Sequence, residues 1–283
     1  MIALIALMLA AQPAAKLDTA KIEQLTGLKG QWNEKEGVFK VQVPRSDLAV
    51  TAAGAKLTPP LGLTAWAAFT KAGTHTVVMG DMVLTEDQVN PAMDAALQNG
   101  LEVTALHNHF FWETPRVMFM HIGGMGDEAK LAAGVGKVFE TLKQKFEVPS
   151  ADIDPANSSL DPKKIDAVLG RSGELNKGVY KVTIGREVKM AGHAMGNAMG
   201  VNTWAAFAGS DDRALVDGDF AMLENELQDV LKALRGGGIN IVAIHQHMTG
   251  ENPRMLFLHY WGVGRTEDLA RTLAAALKKT RVA

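Results

Sequence analysis

Apolar and polar residues alternate along "VFKVQV" (Val38–Val43) and "VYKVTI" (Val179–Ile184), the period of a half-buried strand. After the first of these, "TAWAAFT" and "THTVVMGDMVL" read as two more strands, and a helix follows. Thr85 and Gln88 stand three apart at its start, the spacing of a capping box, and Gly100 supplies its stop. "LEVTALHNH" and "PRVMFMHIGG" are strands joined by a short polar turn, which predicts a hairpin. A last helix follows Asp127, and a short opening helix is signalled by Asp18 as its N-cap.

The same plan then returns. "GLTAWAAFT" at Gly62 matches "GVNTWAAFA" at Gly200, and the offset stays constant from Trp66/Trp204 through His121/His259. Upstream, "LDTAKIEQLTG" matches "LDPKKIDAVLG", where Asp161 and Pro162 suit the cap and first turn of a helix. The second copy lacks the capping box (Leu223, Glu226) but keeps a glycine stop at 236–238. The expected fold is therefore α+β, with two tandem pseudo-symmetric repeats, each a mostly antiparallel sheet with helices packed on one face. The repeats span 16–146 and 160–283, with a polar, proline-bearing linker at 147–159.

Candidate chemistry sits in the two hairpins. "HNHFFWETPRVMFMH" (His107–His121) and "HQHMTGENPRMLFLH" (His245–His259) share the pattern H-x-H-x3-E-x-P-R-x2-F-x-H. They are identical at 7 of 15 positions, against about a quarter in the rest of the aligned core, so these side chains persisted while their surroundings drifted. Alternate strand residues share a face, so His107 and His109 point the same way. His121 joins them only if odd-numbered residues lie opposite odd-numbered ones, because a one-residue slip reverses its direction. The same holds for His245, His247 and His259. Imidazoles with a carboxylate suit a divalent transition metal, zinc first. Glu113 and Glu251 are expected as ligand or general base, and Arg116 and Arg254 as holders of substrate oxygens.

Two other readings use the same residues. The histidines can satisfy buried polar groups by bonding to glutamate and arginine, as a purely structural network. Or the arginines and histidines can bind a small anion without a metal. Asp81 and Asp219, each after a glycine, read as strand-end polar residues or as carboxylates orienting a histidine ring. Trp66/Trp204 and Phe69/Phe207 read as core. In "MAGHAMGNAMG" (Met190–Gly200) a methionine and histidine set suggests Cu(I), but packing is the simpler reading. "FFWET" is bulky where "MTGEN" is small and polar, which suggests that the second pocket is the more open.

Composition narrows the function classes. A net charge of −2 gives no electrostatic case for nucleic acid or an anionic membrane. The absence of cysteine excludes thiol catalysis and thiolate metal sites. Phosphate-binding and nucleophile-elbow motifs are absent too. An apolar run from Ile2 to Ala11, ending in small residues, predicts a signal peptide over 1–15. That implies export to the periplasm or beyond, with no membrane anchoring after cleavage.

The segments "GDMVLTEDQVNPAM", "EVTALHNH", "ETPRVMFMH" and "INIVAIHQHMTGENPRMLFLHYWG" resemble the LppY/LpqO-type family of bacterial exported proteins, tandem proteins of a domain of unknown function. The likeness covers nearly the whole chain after residue 15. It implies export, duplication and a role for the His/Glu/Arg segments, and it supplies no reaction. The leading expectation is an exported two-repeat protein binding a divalent transition metal, as a hydrolase or as a non-catalytic envelope protein for a metal or small anion.

Overall fold

The computed structural model describes residues 16–281, so the expected signal peptide lies outside the described residues. In the first repeat the long strands are β1 (Gly30–Asn33), β2 (Val38–Pro44), β3 (Thr64–Ala72), β4 (His75–Thr85), β5 (Glu102–His107) and β6 (Val117–Gly126). In the second they are β7 (Glu174–Asn176), β8 (Val179–Gly185), β9 (Asn202–Gly209), β10 (Ala214–Leu223), β11 (Asn240–His245) and β12 (Met255–Gly264). All twelve form one sheet in the order β1-β2-β3-β4-β6-β5-β11-β12-β10-β9-β8-β7. The second half is the first in reverse, which places a pseudo-twofold axis between β5 and β11, where Leu106 pairs with Ile244. Each repeat thus closes the other's open edge, the position at which an isolated sheet invites unwanted pairing.

Helices cover one face of the sheet: α1 (Thr19–Thr26), α2 (Glu86–Gln98) and α3 (Glu128–Thr141), then α4 (Pro162–Leu169), α5 (Leu227–Gly236) and α6 (Thr266–Leu277). Asp18, Asp127 and Asp161 cap α1, α3 and α4 by accepting from backbone N–H groups. The box at Thr85 holds through its backbone N–H, which donates to Gln88 Oε1 at 3.2 Å. The second copy keeps that half of the box: Leu223 N–H donates to Glu226 Oε2 at 2.8 Å. An arginine in each repeat, Arg45 buried and Arg186 partly so, secures the same corner. Arg45 donates to Val83 O and Gln88 Oε1, and Arg186 donates to Ala221 O and Glu226 Oε2. The linker runs from α3 to α4 without regular structure except a turn at Pro155–Asn157. Arg213 ties it to the second repeat through the carbonyls of Ser150 and Ala151.

The core lies between sheet and helices. Ala65, Ala67 and Phe69 of β3 are buried there. Trp66 is not, which corrects the expectation of a core tryptophan: three residues from Phe69, it stands on the other face. Trp66 and Trp204 are half-buried on the helix-free face, beneath the ammonium groups of Lys40 and Lys181 at 4.2 and 4.1 Å from the ring centroids.

Gly80 and Gly218 sit where no side chain fits. A Cβ at Gly218 would lie 2.3 Å from both Trp204 O and the Tyr260 ring, and one at Gly80 would lie 2.7 Å from Trp66 O. Gly218→Ala is expected to lower stability by about 1–3 kcal/mol through overpacking, read as a lower denaturation midpoint, with Gly80→Ala the milder of the two. An unchanged midpoint for Gly218→Ala means that the tyrosine ring yields freely.

Candidate metal centre

The histidines stand on the helix-free face because both repeats carry a bulge. In β5 the pairing with β6 runs Val103↔Ile122, then shifts to Ala105↔His121 and His107↔Phe119. In β11 the corresponding shift falls between Ile241 and Ala243, giving Ala243↔His259 and His245↔Phe257. The extra residue changes the parity of the strand. Val103 and Leu106 can therefore both face the core, while His107 turns away from it, beside His121. Odd-numbered residues lie opposite odd-numbered ones at the histidines, as convergence requires.

On the same face, Asp81 pairs with His121 and Asp219 with His259 in the neighbouring strands. Extending the Leu106↔Ile244 register places Ala105 beside His245 and Ala243 beside His107. The two clusters therefore adjoin across the pseudo-twofold axis, with small residues between them. Within each repeat the rings close on one another: His107 and His121 centroids are 5.1 Å apart, and His245 and His259 centroids 4.5 Å. His109 and His247 stack on Phe119 and Phe257 at 3.4 and 3.6 Å.

In the second repeat Asp219, His245 and His247 bring one ligand atom each within 4.8 Å of one another, a set able to hold a metal ion. His247 Nε2 lies 3.1 Å from Asp219 Oδ2 and 3.1 Å from His245 Nε2. Its Nδ1 lies 3.0 Å from the Gly200 carbonyl. A carbonyl only accepts, so the proton of neutral His247 sits on Nδ1 and Nε2 is a bare lone pair. That lone pair faces a carboxylate oxygen and a second imidazole. Asp219 Oδ1 and His245 Nδ1 are buried with no hydrogen-bond partner among the described residues. Burial pushes the Asp219 carboxyl up despite the lowering influence of His259 and His247. Burial also pushes His245 down to about 4, with His259 and His247 adding to the shift.

The first repeat closes a different pair of histidines, and its ligand atoms do not come together as a three-residue set among the described residues. His107 Nε2 and His121 Nε2 are 3.0 Å apart, and His107 Nδ1 lies 3.3 Å from Asn108 O. Asp81 Oδ1 is buried and unpartnered among the described residues. Burial raises the Asp81 carboxyl against the pull of His121, His109 and His107, and burial lowers His109.

The remaining candidates lie in the hairpin tips. Glu251 is buried and accepts from Met255 N–H at 3.0 Å, a bond inside its own turn. Glu113 has a buried oxygen without a hydrogen bond and lies 3.9 Å from Arg116 Nε. Arg116 and Arg254 are exposed, 3.8 Å from Glu86 and Glu224. His259 and His109 stack beside the centres, outside the three-atom set. In the methionine-rich stretch, Met195 packs on a small apolar cluster around Phe257, whereas Met199 and His193 are exposed.

Asp219 lies closer to the chemistry than its sequence position alone implies. The sequence reads it as a strand-end polar residue or as a carboxylate orienting a histidine ring, and the structure puts its Oδ2 3.1 Å from His247 Nε2. The signal was present in the glycine–aspartate pair repeated at the same offset from the third histidine. Gly200, whose carbonyl fixes the tautomer of His247, left no signal.

Fold and site together define a class: a tandem-repeat α+β protein whose twelve-stranded sheet carries histidines and an aspartate from each repeat on its open face. A family model described as "Domain of Unknown Function (DUF1259)" matches residues 20–141 and again 163–279. The chain belongs to that family and carries its domain twice. No curated protein sequence matches it. Among solved structures, the crystal structure of a trimeric bacterial microcompartment shell protein, PduB, matches at 12% identity, covering 88% of this chain and 89% of that one, with a TM-score of 0.24. No helix among the described residues is long and apolar enough to cross a membrane.

Proposed function

We propose that the protein binds a divalent transition metal, zinc first, at a His/Asp centre in each repeat. One observation carries the reading: the Nε2 lone pair of His247, fixed by Gly200, confronts Asp219 Oδ2 and His245 Nε2 at 3.1 Å each. A carboxylate oxygen and a bare imidazole lone pair 3.1 Å apart repel unless a cation sits between them, and His245 Nε2 stands ready as a third donor once it gives up or shifts its proton. Ligand atoms at tetrahedral angles about zinc, with bonds of about 2.0–2.1 Å, stand about 3.3–3.4 Å apart, so the spacing needs little adjustment. The backbone carbonyl behind His247 is the orienting contact that metal-binding histidines commonly make. Asp81, His107 and His109 are the corresponding residues of the first repeat, where His107 Nε2 closes on His121 Nε2 at 3.0 Å instead.

Hydrolysis is the second reading. His247 and His259 are both exposed, so the second centre opens to solvent on one side. An open position is what separates catalytic zinc from structural zinc. Export, and kinship with the LppY/LpqO-type proteins, belong to the same reading and rest on the sequence segments that suggested them.

Metal analysis of purified protein tests the proposal. About two equivalents of zinc per chain are expected after dialysis against zinc and then buffer. Binding requires a deprotonated site. His245, lowered to about 4, resists protonation as the pH falls towards 5, whereas the raised Asp219 competes for a proton sooner than an ordinary carboxylate. Apparent affinity should thus fall with pH, with fewer protons released per metal than free ligands would give. Protein that takes up no zinc, copper, nickel or iron at pH 8 refutes the reading.

A further inference from the structure

A cleft of about 840 Å³ opens beside the hairpin tip of the first repeat, where that tip meets the linker and β11 of the second repeat. Phe110, Phe111, Trp112 and Trp261 contribute to its wall. Phe111 and Trp112 are 74% and 82% exposed, with ring centroids 5.9 Å apart and planes tilted by 52°. Burial in this fold does not explain them.

Trp112 is also strained. Its φ is 58°, in the left-handed region, and the aligned residue of the second repeat is Gly250, with φ 80°. Glycine takes that conformation without a steric penalty, and a bulky residue does not. The first repeat thus keeps a tryptophan that neither suits its backbone nor packs into the core. Strain that folding does not repay points to a use for the ring itself.

Charge selects the ligand. Glu86, Asp87, Glu113 and Glu147 border the cleft, against Arg116 and Arg235. Arg235 is already matched by Asp94, through two contacts of 2.8 Å. Carboxylates are therefore in excess around an aromatic wall. We propose that the cleft binds an organic cation with an apolar body, an amine or quaternary ammonium, with Trp112 as its principal contact. Aromatic faces attract such cations through their quadrupoles, and the carboxylates add direct attraction. The inference goes beyond the metal reading and uses none of its ligands.

Calorimetric titration of metal-free protein with benzyltrimethylammonium, at low salt, tests it. Saturable one-to-one binding is expected, with 2-naphthoate at least tenfold weaker. Trp112→Gly should weaken the cation at least tenfold while melting no lower than the parent, because glycine suits the turn. Glu86→Gln/Glu147→Gln should weaken it several-fold and reduce its salt dependence. Absence of saturable binding, equal affinity for the anion, or full affinity in Trp112→Gly overturns the proposal. So does Trp112-dependent partition onto phosphatidylcholine vesicles without cation binding, which would make the tip a membrane contact.

Discussion

Asp219→Asn should raise the melting temperature of metal-free protein at pH 8 and, in the same molecule, remove the zinc site of the second repeat. Asp219 is a buried carboxylate whose nearest contact is His247 Nε2, and the N–H of that ring is committed to the Gly200 carbonyl. Its Oδ1 has no hydrogen-bond partner among the described residues, and burial holds its carboxyl above the ordinary range. An uncompensated buried group of this kind costs about 1–3 kcal/mol. Asparagine removes the charge, keeps the shape and offers His247 Nε2 an N–H. A gain of about 1 kcal/mol corresponds to about 2–4 °C for a chain of this size.

Zinc inverts the comparison. At a hundredfold excess over its dissociation constant, a ligand that binds only the folded state adds about 2.7 kcal/mol. The parent should gain that stabilisation at each centre. Asp219→Asn should retain only the contribution of the first repeat, Asp81→Asn only that of the second, and the double variant neither. Metal content should fall in step. A structural hydrogen-bond network predicts the reverse sign. If Asp219→Asn melts lower without metal and still takes up a full zinc complement, the His247–Asp219 contact exists to hold the fold.

Much of this architecture was legible in the residues. The duplication follows from a constant offset, and the strands from alternation along "VFKVQV" and "VYKVTI". Helix caps at Asp18, Asp127 and Asp161 are short-range features that a sequence carries whole. What was not legible depends on contacts far apart in the chain. Nothing local says that β5 and β11 pair, joining two repeats into one sheet. Nothing local says that Arg45 and Arg186 turn inward, because their partners lie about forty residues away. For the site, the convergence of His107 with His121 was conditional on register, and no single-strand argument supplies a register. Asp219 was visible as a repeated residue, but its place beside the histidines is a cross-strand fact. The strained Trp112 emerged only from the aligned Gly250 together with its backbone angle.

The register itself yields the last prediction. Each bulge that sets the parity of a histidine strand is held by the opposite repeat. Asn90 of α2 accepts from Ile241 N–H at 2.9 Å and donates to Ile241 O at 3.3 Å. Gln228 of α5 accepts from Val103 N–H at 3.0 Å and donates to Val103 O at 2.9 Å. The two amides occupy equivalent positions about the pseudo-twofold axis, and each stands in for the peptide of a missing neighbour strand. Backbone groups at a bulge need such partners. Each amide removed leaves an N–H and a C=O exposed to a loss of about 1–3 kcal/mol per group, less whatever water restores. Asn90→Ala/Gln228→Ala should therefore cost several kcal/mol, the largest destabilisation of any pair of polar changes away from the histidines. It should also weaken zinc binding at both centres, because a strand free to slip by one residue turns His107 and His245 away from their partners. Amide exchange at Val103 and Ile241 should accelerate together with the loss of metal. Asn90→Asp/Gln228→Glu keeps the acceptor and drops the donor, and should fall between the two. If the alanine pair loses stability but binds zinc as the parent does, the packing of Val103 and Ile241 sets the register, and the amides only support it.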